Sequence, residues 1–238
     1  MLKIFIGTSA NGEDAEAEVT LEYTIRKNTK SPVEIVFMRQ TRDTKSVYGG
    51  WNTSDWHTPF SGFRWAIPHM CNFEGRAVYM DIDQICLQDM TELFNEPIGK
   101  DEAFKVKMYG GRYEYSVILF DNAKCKDVLP SLSELKAMPD IMQTLPQILK
   151  LKRVIGLINP KWNVLDGEDY SIDQMGILHY TRMASQPWQP KWFQGVVAPH
   201  QRPELCELWF NLNKEAKDAG NKPPNDYEPF GEYDIIGK

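Results

Sequence analysis

Histidine, cysteine and net positive charge are all scarce in this 238-residue chain. With only four His, few imidazoles are available to any transition-metal site. The four cysteines, Cys71, Cys86, Cys125 and Cys206, form no CxxC pair and keep no regular spacing. This argues against a sulfur-ligated zinc site or a disulfide framework and predicts reduced, mostly buried thiols. Lys and Arg number 27 against 33 Asp and Glu, a net charge of −6, so nothing pulls the whole surface towards nucleic acid or anionic lipid. No uncharged apolar run approaches the roughly 18 residues needed to span a bilayer. The opening MLKIFIGTSANGEDAE turns polar after Gly7 without the apolar core of a signal peptide. The expectation is a soluble, cytoplasmic protein with no transmembrane segment and no nucleic-acid partner. What remains is an ordinary globular balance, 42% hydrophobic and 25% charged, with an unusual seven Trp. The length allows one large domain or two small ones.

Local patterns point to an α/β fold. Lys3 to Gly7 (KIFIG) reads as a buried strand, Asp14 to Lys27 as a helix with acids leading and bases closing it, and Val33 to Met38 (VEIVFM) as a second strand. This opening β-α-β unit predicts parallel strands. Residues 39–57, with Trp51 and Trp56, read as a long polar surface loop. Thr58-Pro59 offers an N-cap and first-turn proline to a helix carrying Phe60, Phe63, Ile67 and Met70, shortened or kinked by Pro68. A buried strand, Ala77 to Met80, a short helix, Gln88 to Asn95, and a strand, Tyr115 to Phe120, follow. Asp140 to Lys150 is ambiguous because of Pro146, and Ile177 to Tyr180 is a short apolar stretch. Pro203 to Ala219 is amphipathic, with Leu205, Leu208, Trp209 and Leu212 on one stripe. The Pro- and acid-rich end, NKPPNDYEPFGEYDIIGK, reads as an extended tail.

The segment that carries chemistry is RAVYMDIDQI. In an extended chain Asp81 and Asp83 project to one side, while Ile82 turns towards the core. They follow a buried strand directly, and open α/β sheets bind ligands beyond the carboxyl ends of their strands. Two carboxylates there repel unless a cation joins them, which points to a divalent metal and, through it, an anionic ligand such as a diphosphate. A pair of solvated acids ending a strand is the plain alternative, since D-x-D arises often by chance.

The surrounding stretch, FRWAIPHMCNFEGRAVYMDIDQICLQDMTELF, resembles glycosyltransferase family 8, retaining GT-A enzymes that include glycogenin and lipopolysaccharide sugar transferases. Phe63, Arg64, Ile67, Pro68, Tyr79, Asp81, Asp83, Asp89 and Leu93 fall in the order of that family's central signature. The resemblance is strongest over Thr58 to Pro97 and weaker over Lys3 to Met38. A later family block, His then Gly and Lys-Pro-Trp, is matched by His179, Pro187 and Trp188 in LHYTRMASQPWQPKW. There the Gly is missing, Gln186 stands at the Lys position and lies one residue further from the His. Arg182 or Lys191 is a substitute cation for the diphosphate. The family's Asn-Ala-Gly and Asp-Gln-Asp runs correspond to Tyr115-Ser116-Val117 and Leu145-Pro146-Gln147, so the acceptor side has diverged.

The resemblance implies a single-domain GT-A (Rossmann-like) fold over residues 1–200, with a mostly parallel central sheet and a C-terminal helix and tail, residues 201–238, packed on it. It further implies transfer of a hexose from a nucleotide sugar, a UDP-sugar, with retention, to a glycan, lipid-linked or protein acceptor. Asp81, Asp83 and His179 would hold the metal, with Mn²⁺ suited to a mixed carboxylate and imidazole shell. Thr8, Ser9, Arg64, Asp81, Ile82 and Trp188 would bind the donor, and Gln147 is the candidate polar group near the anomeric carbon. A structural, hydrogen-bonded role for His179 is the alternative. His57, His69 and His200 read as solvated or structural, and Asp166-Gly167-Glu168-Asp169 as a loop. Trp51, Trp56, Trp188 and Trp192 offer flat faces to sugar or nucleotide rings. Two other readings stay open: a phosphatase of the haloacid-dehalogenase type with Asp81 as nucleophile and Asp83 as acid/base, and a sugar- or nucleotide-binding protein without turnover.

Overall fold

The computed structural model describes residues 1–190, 193–225 and 227–236. The apolar first run forms β1 (Leu2–Gly7), followed by α1 (Ala15–Asn28) and β2 (Val33–Met38), the expected β-α-β unit. Glu16 and Glu18 open α1 and Arg26 and Lys27 close it, which suits the helix dipole. After a short 3-10 turn at Ser61–Ala66 come α2 (Ile67–Met70), β3 (Arg76–Asp81), β4 (Gln84–Cys86) and α3 (Met90–Phe94). Asp89 caps α3 by accepting from the Thr91 amide at 2.9 Å. The hairpin β5 (Phe104–Tyr109) and β6 (Arg112–Asp121) leads to α4 (Asn122–Cys125), α5 (Leu132–Ala137) and α6 (Ile141–Leu151). Then follow β7 (Ile155–Leu157), β8 (Val164–Leu165), β9 (Ile177–His179) and α7 (Pro203–Asp218). No described helix is long and apolar enough to cross a membrane.

The central six-stranded sheet runs β2-β1-β3-β6-β5-β7. β1 pairs in parallel with β2 and β3, and β5 with β7, while β6 lies antiparallel to both its neighbours. The sheet is therefore mixed, with three of five pairings parallel, and helices flank it. A second, three-stranded sheet, β4-β9-β8, joins the chain after the D-x-D motif to the segment carrying His179. Its pairing sets Gln84 opposite His179. Nothing in the sequence marks this small sheet, because its strands have only two or three residues each.

Several sequence expectations need correction. Trp51 and Trp56 do not offer open faces: they are 8% and 0% exposed and enclose Phe63 in an aromatic cluster, with ring centroids 5.6 and 5.1 Å from it. Hydrophobic burial of these large rings folds the polar loop inwards despite its composition. The helix expected from Thr58 begins only at Ser61, because the Thr58 amide and hydroxyl are turned into a local ring with the Ser61 hydroxyl. Pro68 sits in the first turn of α2, where its missing N–H costs nothing. The ambiguous stretch at Pro146 is helical throughout α6, its buried stripe being Ile141, Leu145 and Leu149. Cys71, Cys86 and Cys125 are buried and Cys206 half-buried, all four free.

The C-terminal tail is extended but tied down. The Tyr233 hydroxyl accepts from the Ala10 amide at 2.9 Å and donates to Glu13 at 3.0 Å, and the Ile236 amide donates to the Trp56 carbonyl at 2.7 Å. The tail thus clasps the loop after β1 and the Trp-rich loop together.

Gly7 closes β1 where it pairs with Asp81 of β3. A Cβ there would lie 2.6 Å from the Phe60 ring and 2.7 Å from the Tyr79 hydroxyl, so only glycine admits both. Gly7→Ala is expected to cost about 1–3 kcal/mol by overpacking and, by displacing the Tyr79 hydroxyl, to disturb Asp81. A lowered urea midpoint would register the first effect.

Candidate active site

β3 delivers Asp81 to the carboxyl edge of the sheet, and the bend after it presents Asp83 beside the start of β4. Asp81 Oδ1 accepts from Arg64 Nη2 at 3.0 Å and from the Tyr79 hydroxyl. Arg64 is itself fixed by bonds from Nε to the Ser61 carbonyl at 2.8 Å and from Nη1 to the Tyr115 carbonyl at 2.6 Å, and it lies over the Tyr79 ring. Burial, with the neighbouring Asp83 charge, pushes the Asp81 carboxyl above its usual range against the pull of Arg64.

The small sheet places His179 Nε2 3.2 Å from Asp83 Oδ1. Burial would depress the His179 imidazolium, but the charges of Asp83 and Asp81 more than reverse this and its pKa is raised. Asp81, Asp83 and His179 offer ligand atoms that all lie within 4.8 Å of one another. Beyond that approach of His179, Asp83 Oδ1 has no hydrogen-bond partner, and His179 Nδ1 is buried with none. Unsatisfied buried lone pairs are costly, and a divalent cation between two carboxylates and an imidazole would relieve the crowding of charge. The donor set therefore fits a divalent metal.

The segment after β9 folds across this group. Gln186 Nε2 donates to Asp83 Oδ2 at 3.2 Å and to the Tyr180 carbonyl at 2.9 Å. Trp188 stacks on Trp209 of α7 at 5.1 Å, and its Nε1 donates to Asp14 at 3.4 Å. Asp14, Thr58, Ile82, Asp83, Gln186 and Trp188 line a cleft of only about 10 Å³, room for about one water. Thr8 and Ser9 are fully buried and do not line it: the Thr8 hydroxyl donates to Glu18 at 2.7 Å, and the Ser9 hydroxyl accepts from the Asp14 amide at 3.2 Å. Ser9 thus meets the cleft only through Asp14.

Burial raises the Asp14 carboxyl to about 7, the nearby Glu18 charge adding to it and bonds from Ser9 and Trp188 opposing it. The folded chain therefore holds a proton that the unfolded chain, at 3.8, releases. The associated stability is complete below that lower value and is lost as pH rises through about 7. Asp14→Asn should flatten this fall, measured by urea denaturation across the window. An unchanged slope would sink the assignment.

His179 also lines a larger cavity, of about 390 Å³, with Glu114, Asp166, Thr181, Arg182 and His200. Sequence reasoning missed Glu114, a lone acid at the outer end of β6 with no motif around it. Residues 166–169 form a loop after β8, as expected, and Asp166 anchors it: it accepts from Thr181 at 2.6 Å and faces His200 Nε2 at 2.9 Å. His200 is held at both ring nitrogens, its Nδ1 lying 2.9 Å from both the amide and the carbonyl of Arg202, and the role is structural. His69 is likewise engaged, by the Pro130 carbonyl at 2.9 Å. Gln147 lies elsewhere, in a cavity between α6 and β6 that Asp81, Asp83 and His179 do not line. Lys191 and Trp192 fall outside the described residues.

No protein-family model matches the chain. Protein CDI of Arabidopsis thaliana is 26% identical over 252 residues, covering 92% of this chain and 90% of that protein. Among solved structures, an active-site mutant of LgtC superposes with a TM-score of 0.60 at 12% identity, covering 90% of this chain and 96% of LgtC. The glycosyltransferase GlyE of Streptococcus pneumoniae gives 0.59 at 17% identity, covering 95% of this chain and 66% of GlyE. The bifunctional glycosyltransferase WbbM gives 0.57 at 10% identity, covering 77% of this chain, which spans about half of WbbM (47%). The mixed sheet, its flanking helices and these superpositions give the chain the GT-A fold of glycosyltransferases.

Proposed function

We propose that the chain is a metal-dependent glycosyltransferase of the family 8 type, moving a hexose from a UDP-sugar to a glycan, lipid-linked or protein acceptor with retention. The observation that carries this reading is the Asp81, Asp83 and His179 group, with the buried His179 Nδ1 unpartnered, at the sheet edge where such folds bind ligands. A divalent cation held there supplies charge stabilisation to a departing nucleoside diphosphate.

The chain's own residues divide the remaining work. Arg64 and the Tyr79 hydroxyl hold the Asp81 carboxylate in one orientation before any ligand arrives. Ile82 and Trp188 would form apolar walls of the donor cleft, beside Asp14, whose amide Ser9 holds. Entry of a nucleotide requires the Gln186 bond to Asp83 and the Trp188 bond to Asp14 to open. Arg182, which lines the cavity beside His179, would meet a phosphate, and Gln147 would hydrogen-bond a saccharide from the α6 side.

Calorimetry of UDP with and without Mn²⁺ tests the reading: binding should depend on the metal, and equal affinity in chelator would overturn it. One observation favours a second reading, a nucleotide-sugar-binding protein without turnover. Gln186 replaces a cation and bonds a proposed metal ligand. Metal-dependent UDP binding without slow hydrolysis of any UDP-sugar in a panel would select it.

A further inference from the structure

The β5–β6 hairpin turns through Gly110 and Gly111, both at positive φ, and alternation along β6 then parts two chemistries. Glu114 lines the cavity beside His179, with Asp166 as a second acid. Tyr113 and Tyr115 line the other cavity, of about 490 Å³, against α6. That volume is within the range of small-molecule sites, roughly 300–1,000 Å³.

No carboxylate lines this second cavity. Its polar groups are Arg112 from the hairpin and Gln143, Gln147 and Lys150 from α6. Gln143 and Gln147 are one helical turn apart, so their amides stand on the same face, and Lys150 continues that face at the next turn. Among the described residues neither Arg112 nor Lys150 makes an ion pair. The Tyr113 and Tyr115 rings stand 6.3 Å apart at 59°. Aromatic faces that pack on C–H surfaces, amides that both donate and accept, and two uncommitted cations make a wall suited to a hydroxylated ring bearing negative charge. The Arg112 fork also matches a carboxylate or a phosphate in geometry.

We propose that this cavity binds a saccharide unit carrying an anionic group, a carboxylate or a phosphate, as the acceptor side of the enzyme. The word acceptor rests on the transferase reading; the binding of an acidic saccharide does not.

The test is a titration of the isotope-labelled full chain, without nucleotide or metal, with glucuronic acid, glucose-6-phosphate and glucose. The side-chain amide resonances of Gln143 and Gln147 are followed. At least one acidic sugar should bind about tenfold or more tighter than glucose, as expected for one charge-assisted hydrogen bond, with shifts at these amides. The arm that responds identifies carboxylate or phosphate. In the double variant Arg112→Gln with Lys150→Gln the preference should vanish while the urea midpoint holds. Equal binding of glucose, shifts confined to other residues, a preference that survives in the double variant, or no saccharide binding at all would each overturn the proposal. UDP calorimetry with Mn²⁺ reads the donor site separately, so failure here is distinguishable from failure of the transferase reading.

Discussion

Asp83→Asn should abolish the Mn²⁺ dependence of UDP binding while the chain remains folded. The substitution keeps the shape of the side chain and an acceptor oxygen for Gln186, but it removes one of the two carboxylate charges in the proposed ligand group. Mutating an outer partner of a metal ligand costs about 10–100-fold in affinity, so loss of a ligand charge should cost at least about 100-fold, or some 3 kcal/mol. A second readout separates a binding role from a structural one. Asp83 is a main source of the upward shift of His179, which burial opposes. In metal-free Asp83→Asn the His179 imidazole should titrate at lower pH than in the parent chain. Metal-dependent UDP binding of undiminished affinity would refute the site.

Glu168→Ala should destabilise the fold by about 3–5 kcal/mol, the cost of leaving a buried charge without its partner. Lys107 of β5 is 1% exposed, and its ammonium is held by the Asn163 carbonyl at 2.8 Å and by the Glu168 carboxylate. That carboxylate also accepts from the Leu165 amide at 2.7 Å, so it ties the end of β8 to the central sheet. The next residue is Asp166, on the wall of the cavity beside His179. Urea denaturation measures the loss. A double change, Lys107→Met with Glu168→Leu, should recover most of it, because an apolar pair carries no desolvation cost. A small effect of Glu168→Ala would mean that water already reaches the Lys107 ammonium.

The legible parts of the molecule were those in which the information is local. KIFIG, the α1 pattern and VEIVFM specify their own elements, and the apolar run before Asp81 makes both the strand and its carboxylate edge readable. His179 was reachable only through resemblance, since its approach to Asp83 depends on the pairing of β4 with β9, segments more than 90 residues apart. No periodicity in a three-residue strand announces such a pairing. Trp51 and Trp56 were misread because their neighbours are polar, and burial of a few large rings outweighs the composition of the loop that carries them. Glu114 was invisible for the opposite reason: nothing distinguishes one acid on a strand until the cavity it faces is known. Gln147 was placed by analogy of order along the chain; the fold sets it in a cavity that Asp81, Asp83 and His179 do not line.

The clasp of the C-terminal tail bears on how the loop after β1 breathes. The Ala10 amide donates to the Tyr233 hydroxyl at 2.9 Å, whereas the Asn11 amide has the Glu13 carboxylate at 2.9 Å as well as that hydroxyl at 3.2 Å. Exchange of the Ala10 amide with solvent deuterium is therefore governed by detachment of the tail, a sub-global opening, and not by the much rarer unfolding of β1. It should exchange well ahead of Ile4 and Ile6 in the core of β1. It would serve as a built-in clock for how often the loop leading to Asp14 comes loose.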